Sequence, residues 1–590
     1  MKRLAFALAL TLGAPAFAEA PADTVFRHGA VHTVDSLHPA AQAVAVRGGK
    51  IVYVGSDDGA AALIGGKTRI VELDGRTLMP GLVDGHMHPL AGGAQLRTCN
   101  LDYAPLTEEQ FRQRIQACLD AEPGAGPDQW LLVSNWYRQF MRPPGTDATK
   151  TTLDALKTGR PILVVSSDYH SALVNSRGLE LAGVTDATPD PAGGKITRDG
   201  KGEATGILED DARSLAFSKL PPTLPADNDA NAAAALDALR RQGVTSFLDA
   251  AASPESLDAF TRLQKAGRLT ARAHFAPVID PASPDPAKVI PWLAGLKKRY
   301  DQGSLHPAPG ITLRNAKMFM DGVVEAPAET AGMLTPYFVQ KDGVWQPGEA
   351  RGEIYFPAAV LKPLVVALGR AGFDPHLHAD GDRAVRESLD AVDAMRADPN
   401  GRSVRPAIAH DEVTDPADYP RFRALGALPV MSYQWGKLGP DSLDGAKDVL
   451  GPDRFSRMEP EGSLYAAGAR IAFGSDWPVD RLDEWFDLKV AMTRTGDGTL
   501  GPAYDGVFNA EKGLPLDEVI RSATLDSAYE LHQDKVTGSI EVGKFADLIV
   551  LDRDLRAISP DELARIKVLL TMVGGREVWR SADFPDRRVK

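Results

Sequence analysis

The sequence predicts an α/β protein: a (β/α)8 TIM barrel, a small β-sandwich domain built from both termini, and an insertion after the first barrel strand. Three observations predict it. Apolar strand-like runs alternate with amphipathic helical segments through the middle of the chain, the pattern of a parallel sheet with crossover helices. Short strands and glycine turns occupy both ends. Histidines and carboxylates gather where the middle strands stop.

Taken in order, residues 1–18 stand apart. Met1-Lys2-Arg3 is a short positive region, residues 4–12 are apolar except Thr11, and Ala16-Phe-Ala18 puts small residues where a signal peptidase reads. This pattern is a secretory signal peptide, too short to span a membrane; an uncleaved apolar anchor is the alternative. The mature protein is therefore expected to be periplasmic or secreted. Residues 19–79 and 535–590 are expected to form the composite β-sandwich. On the first side, runs at 43–47 and 50–54 flank Gly48-Gly49, and 69–73 closes on Asp74-Gly75. On the other, runs at 546–552 and 568–573 precede Gly574-Gly575 and a strand at 577–579.

Residues 80–534 are expected to form the barrel. Its strand-like runs are 78–88, 244–249, 271–277, 311–319, 373–378, 405–410, 427–432 and 470–476. Helical patterns follow most of them, for example at 254–266, 357–371, 382–396 and 415–425. Between the first two runs, about 95–225, lies an insertion with strands of its own at 130–134 and 161–165, a lid or subdomain over the barrel mouth.

Composition narrows the function. The 590 residues are 44% hydrophobic and 25% charged, which excludes disordered and collagenous chains. Lys and Arg number 66 against 79 Asp and Glu, a net charge of −13. Nucleic acid is a poor partner for such a chain, because phosphate binding needs a basic footprint. No internal run approaches the ~20 apolar residues of a membrane span, so no membrane partner is expected after signal cleavage. A small-molecule substrate is expected; assembly into a homo-oligomer stays open. Cys99 and Cys118 are the two cysteines. An exported chain with an even count permits a disulfide; two buried free thiols are the alternative.

Asp84-Gly-His86-Met-His88 ends the first run. Residues two apart on a strand share a face, so His86 and His88 can both face the barrel axis at its carboxyl end, where barrel active sites sit. Two imidazoles there make a chelating pair for a divalent metal. His376-Leu-His378 closes the fifth run, His410 the sixth and Asp476 the eighth, and Lys317 lies among apolar neighbours in the fourth. Five imidazoles, a lysine and a carboxylate thus converge on one end of the barrel. His274 and His376 lie on strands and are candidates for contacting the substrate or for orienting the ligands. Asp84, and Asp382 as a partner for His378, are candidate supporting groups.

Pro80-Gly-Leu-Val-Asp-Gly-His-Met-His88 resembles the first-strand signature of the amidohydrolase superfamily. His378-Ala-Asp-Gly-Asp-Arg-Ala-Val385, Ala409-His410 and Gly474-Ser-Asp476-Trp-Pro478 resemble its later metal motifs. Residues 538–551 are similar to its C-terminal strand pair. Arg160-Pro161, Asp168-Tyr-His-Ser171, Asn175-Ser176 and Gly202-Glu-Ala-Thr-Gly-Ile-Leu208 resemble the insertion of amidohydrolase family 3, the branch that contains N-substituted formamide deformylase. The resemblance covers nearly all of the mature chain. It implies two divalent metal ions, zinc with manganese or iron as alternatives. His86, His88 and Asp476 would hold one, and His378 and His410 the other, with carboxylated Lys317 as the bridge. His170, inside the insertion match, is a candidate substrate contact or a structural loop residue. Ala409 stands where several relatives have Glu.

The implied reaction is metal-dependent hydrolysis of a C–N bond in an amide, N-acyl or cyclic amide compound other than a peptide. Metal-activated hydroxide would attack and Asp476 would carry the proton. A deaminase or an esterase on the same metal barrel is the alternative, and a non-catalytic periplasmic binding protein a further one. A serine hydrolase would need a Gly-x-Ser-x-Gly elbow, and the sequence has none.

Overall fold

The computed structural model describes residues 20–584 apart from 144, 168–170, 192, 193 and 327. The signal-peptide reading of residues 1–18 lies outside these residues.

Two all-parallel sheets organise the middle of the chain. In the first, Leu82–Met87, Val244–Ala252, Arg272–Pro277 and Ile311–Leu313 lie side by side in chain order. In the second, Asn315–Phe319, Asp374–Ala379, Ala407–His410, Leu428–Met431 and Ala472–Phe473 do the same. Backbone bonds also cross between the sheets at both edges. Ile279 N–H donates to Lys317 O (2.9 Å), and Asp476 N–H donates to His86 O (2.8 Å). Two predicted runs are divided. Thr77–Pro80 leaves residues 78–88 to join a sheet of the terminal region, because Gly81 N–H is taken by Asp547 O (3.0 Å) and Leu82 N–H by Gly243 O (3.0 Å). The run 311–319 breaks at Arg314, whose Nε instead donates to Asp374 Oδ2 (2.9 Å).

The crossover helices follow from caps and apolar stripes. Ser253 Oγ accepts from Ser256 N–H (3.2 Å), and Pro254 opens Pro254–Lys265. Leu257, Phe260 and Leu263 then bury one face of that helix. Asp382–Arg396 buries Val385, Leu389 and Val392 at helical spacing. These faces share one apolar core with the outward residues of the strands.

Strands from both ends of the chain meet. Thr77–Pro80 lies between Leu548–Leu551 and Ala30–His32 in a six-stranded sheet. A four-stranded sheet of Thr24–Arg27, Ala43–Arg47, Lys50–Gly55 and Arg69–Glu72 shares its core, Phe26 and Val44 packing in one cluster with Leu78, Val550 and Leu570. A buried ion pair ties this region to the parallel strands: Arg272 Nε and Nη2 donate to the two oxygens of Asp547 (2.7 and 3.0 Å).

Residues 99–210 form a six-stranded mixed sheet, with Leu131–Trp136 and Ile162–Ser166 in parallel near its centre. The helix Glu108–Ala121 packs on it through Phe111 and Ile115. A disulfide joins Cys99, on the edge strand, to Cys118 of that helix, with the Cα atoms 5.7 Å apart. Among the described residues no helix is long and apolar enough to cross a membrane.

Candidate metal centre

A cavity of about 520 Å³ opens at the carboxyl ends of the parallel strands. His86, His88, Lys317, His378, His410 and Asp476 all line it. They come from the first, fourth, fifth, sixth and eighth strand positions, so the parallel topology alone brings them together. Two donor groups converge closely enough to hold an ion: His86 with His410 and Asp476, and His378 with Asp380 and His410. His88 Nε2 lies 3.0 Å from Asp476 Oδ1, and His86 Nε2 lies 3.4 Å from the same oxygen.

The local backbone serves this convergence. His410 and Asp476 hold φ of 82° and 52°, a left-handed conformation that non-glycine residues adopt at a cost of ~1–3 kcal/mol and that clusters at functional sites. Asp84, fully buried, accepts from His86 N–H (2.9 Å) and from Ser475 Oγ–H (2.5 Å), so it clamps the first strand to the turn after the eighth. Trp435 stacks on His410 with ring centroids 5.2 Å apart.

The electrostatics favour neutral imidazoles. Burial first, and the charge of Lys317 or of neighbouring histidines second, holds His86, His376 and His410 well below the ordinary histidine range. The same causes bring His378 to about 3. A neutral imidazole has a lone pair to give a metal. Burial brings Lys317 down to about 8, against the raising effect of Asp476 and Asp380. Its Nζ lies 3.4 Å from His86 Nε2 and over the Phe319 ring. Among the described residues, His410 Nδ1, Asp380 Oδ1 and Asp476 Oδ1 are buried without a well-aligned hydrogen bond. A buried polar atom of this kind needs a partner, and nitrogen and carboxylate donors together suit a divalent transition metal.

Other candidates fall elsewhere. His376 and His274, considered as substrate contacts, do not line the cavity. His376 is fully buried behind it, its Nε2 2.8 Å from His86 Nδ1 and its Nδ1 3.3 Å from Glu530 Oε1. His274 is buried within the third strand. Asp382 does not orient His378; its carboxylate accepts Leu334 N–H (2.7 Å) at the start of its own helix. Asp380 and Asp321 face His378 Nε2 instead, at 3.5 and 3.8 Å. His170 lies outside the described residues. Asp380 was not among the sequence candidates, although it lies two residues beyond His378 in an extended segment and so shares its face.

Comparison with known proteins agrees with this picture. The chain belongs to the amidohydrolase family, whose profile matches residues 69–579. It is 27% identical over 567 residues to the putative amidohydrolase YtcJ of Bacillus subtilis, covering 95% of this chain and 99% of that one. It is 25% identical over 575 residues to N-substituted formamide deformylase of Arthrobacter pascens, covering 94% and 97%. In fold it is similar to an uncharacterized metal-dependent hydrolase from Pyrococcus horikoshii OT3, with a TM-score of 0.69, 21% identity, and coverage of 91% of this chain and 99% of that one. The protein is therefore a metal-dependent hydrolase of C–N bonds.

Proposed function

We propose that the two parallel sheets form one closed (β/α)8 barrel, capped by a β-sandwich of both termini, and that its open end hydrolyses a small amide, N-acyl or cyclic amide compound rather than a peptide. The observation that carries this reading is the pair of donor groups that share His410 on the cavity floor. His86 and Asp476, with His88 beside Asp476, would hold one divalent ion, and His378 and Asp380 a second, with His410 within reach of both. Zinc suits these donors best. When bound, such a metal supplies Lewis acidity and a nucleophile at neutral pH.

The chain's own groups do the rest. Lys317 Nζ adds to carbon dioxide: the N–C bond forms, one proton leaves, and the resulting carbamate brings two oxygens where a buried ammonium would repel cations. The burial that lowers Lys317 to about 8 makes its neutral amine available. Glu530 and His376 sit in line behind His86 and hold its ring in place. Asp476 lies beside both His86 and His88. It accepts the proton of the attacking water and returns it to the departing nitrogen, base first and acid second. The small-molecule preference is supported by the roof over the cavity. The insertion contributes Tyr137 and Arg138 to the lining, and Tyr137 Oη–H donates to Asp441 across the opening (2.5 Å). We also assign the protein to the periplasm or the exterior, which the Cys99–Cys118 disulfide supports.

The test is a panel of N-acyl amines, cyclic amides and short peptides offered to zinc- or manganese-loaded protein. Release of a carboxylic acid together with an amine from the N-acyl compounds is expected. Ammonia without acid would reassign the site to deamination, and preferential cleavage of the peptides would overturn the substrate class.

A further inference from the structure

Beside the proposed metal floor, the cavity has a second acidic zone that the hydrolysis does not use. Glu412 and Glu459 both line the cavity, and they are only 4% and 1% exposed. The backbone sets them side by side: Glu459 N–H donates to Glu412 O (2.8 Å), and Val413 N–H donates to Asp380 O (2.9 Å). Glu325 joins them on the lining. Among the described residues, Glu412 Oε2 and Glu459 Oε1 are buried with no hydrogen-bond partner.

Three basic side chains of the lining face other groups. Arg138 pairs with Asp147 (2.7 Å) and Glu209 (3.1 Å). Lys437 Nζ donates to Gln434 O (2.6 Å) and faces Asp480 at 3.8 Å. Lys195 approaches Glu209 at 3.9 Å. A buried carboxylate oxygen with no donor costs free energy unless something supplies one. Here both carboxyl groups belong to residues that line a space large enough for a small molecule.

We propose that Glu412 and Glu459 form a recognition subsite for a cationic N–H group, a protonated amine, carried by the substrate at the end remote from the scissile bond. This rests on the hydrolase reading and names its substrate class: amides of amines or acids that keep a second, positively charged nitrogen. An ammonium offers three donors and the positive charge that would favour ionisation of two carboxyls which burial first, and neighbouring acids second, hold well above the ordinary range.

The test has two arms. In the first, n-pentylammonium and its neutral counterpart pentan-1-ol are titrated calorimetrically into metal-loaded protein at pH 7, and into Glu459→Gln and Glu412→Gln proteins. A charged hydrogen bond is worth roughly ten- to a hundred-fold in affinity. The ammonium should therefore bind wild type at least about ten-fold more tightly than the alcohol, and each Gln variant should erase most of that difference. Equal binding of the two probes overturns the subsite. An ammonium preference that survives in both variants also overturns it, since it places the amine on the metal. The second arm compares N-acyl substrates with and without a terminal ammonium. The Gln variants should raise KM for the cationic member and leave the neutral one unchanged; equal losses on both would overturn the proposal. Because the binding arm needs no turnover, it stands or falls separately from the hydrolase reading. Either variant suffices if the other does not fold.

Discussion

The floor and the roof of the cavity are built on opposite plans. On the floor, His86, His378, His410 and Asp476 stand at the ends of hydrogen-bonded parallel strands, and two of their polar atoms, His410 Nδ1 and Asp476 Oδ1, are buried without a hydrogen bond. On the roof, three side chains of the insertion that line the cavity are satisfied within the protein: Arg138 by Asp147 and Glu209, Tyr137 by Asp441, and Tyr103 Oη–H by Pro478 O (2.7 Å). Unsatisfied groups held rigidly suit binding and chemistry. Satisfied groups on a separate sheet suit shape and closure. Chemistry and selectivity should therefore be separable by mutation.

The largest effect should come from the floor. Asp476→Asn keeps the side chain's shape and removes the proton carrier, so turnover of a confirmed substrate should fall by ~10²–10⁴-fold or more. Near wild-type turnover would refute the mechanism while leaving the fold intact. Chelation should abolish activity to the same extent, and added Zn²⁺ or Mn²⁺ should restore it. Lys317→Ala should also be inactive, yet partly rescued by a short carboxylic acid that fills the bridge; inactivity with no rescue at any concentration would argue against a carbamate.

Outside the cavity, effects should fall on stability instead. Arg272→Leu leaves Asp547 buried without its partner, and removing one member of such a pair costs about 3–5 kcal/mol. Denaturant melts should show that loss while the folded fraction keeps its kcat. Reduction of Cys99–Cys118 should cost roughly 3 kcal/mol in the chain-entropy view, and thiol titration of denatured, unreduced protein should find no free cysteine. The smallest effect belongs to the roof. Tyr137→Phe removes one hydrogen bond across the opening, worth ~1 kcal/mol. KM should rise a few-fold with kcat unchanged; a matching fall in kcat would show that roof and floor are not separable.

What could be read beforehand follows the same division. Parallel strands buried on both faces read as apolar runs, and His86, His88, His378, His410 and Asp476 are legible because each closes such a run. The split of 78–88 was hidden, since Pro80-Gly81 interrupts nothing in the hydropathy and only Asp547, far along the chain, redirects the backbone. Asp382 reads as a partner for His378 because it follows the fifth run; the position of Leu334 N–H decides against that, and no local pattern announces it. Glu412 and Glu459 look like ordinary loop acids. Their burial depends on backbone bonds between loops that follow different strands.

The pairing of Thr77–Pro80 with Leu548–Leu551 has a consequence in time. A ribosome adds about 5–20 residues per second, so the earlier strand emerges roughly half a minute or more before its neighbour exists. Through that interval one side of Thr77–Pro80 offers unsatisfied amides and carbonyls, the arrangement that recruits stray strands from other chains. A polypeptide truncated before Leu548 keeps that open edge permanently. Premature stops late in the gene should therefore yield aggregates rather than a shortened enzyme, even though every proposed metal ligand has already been made.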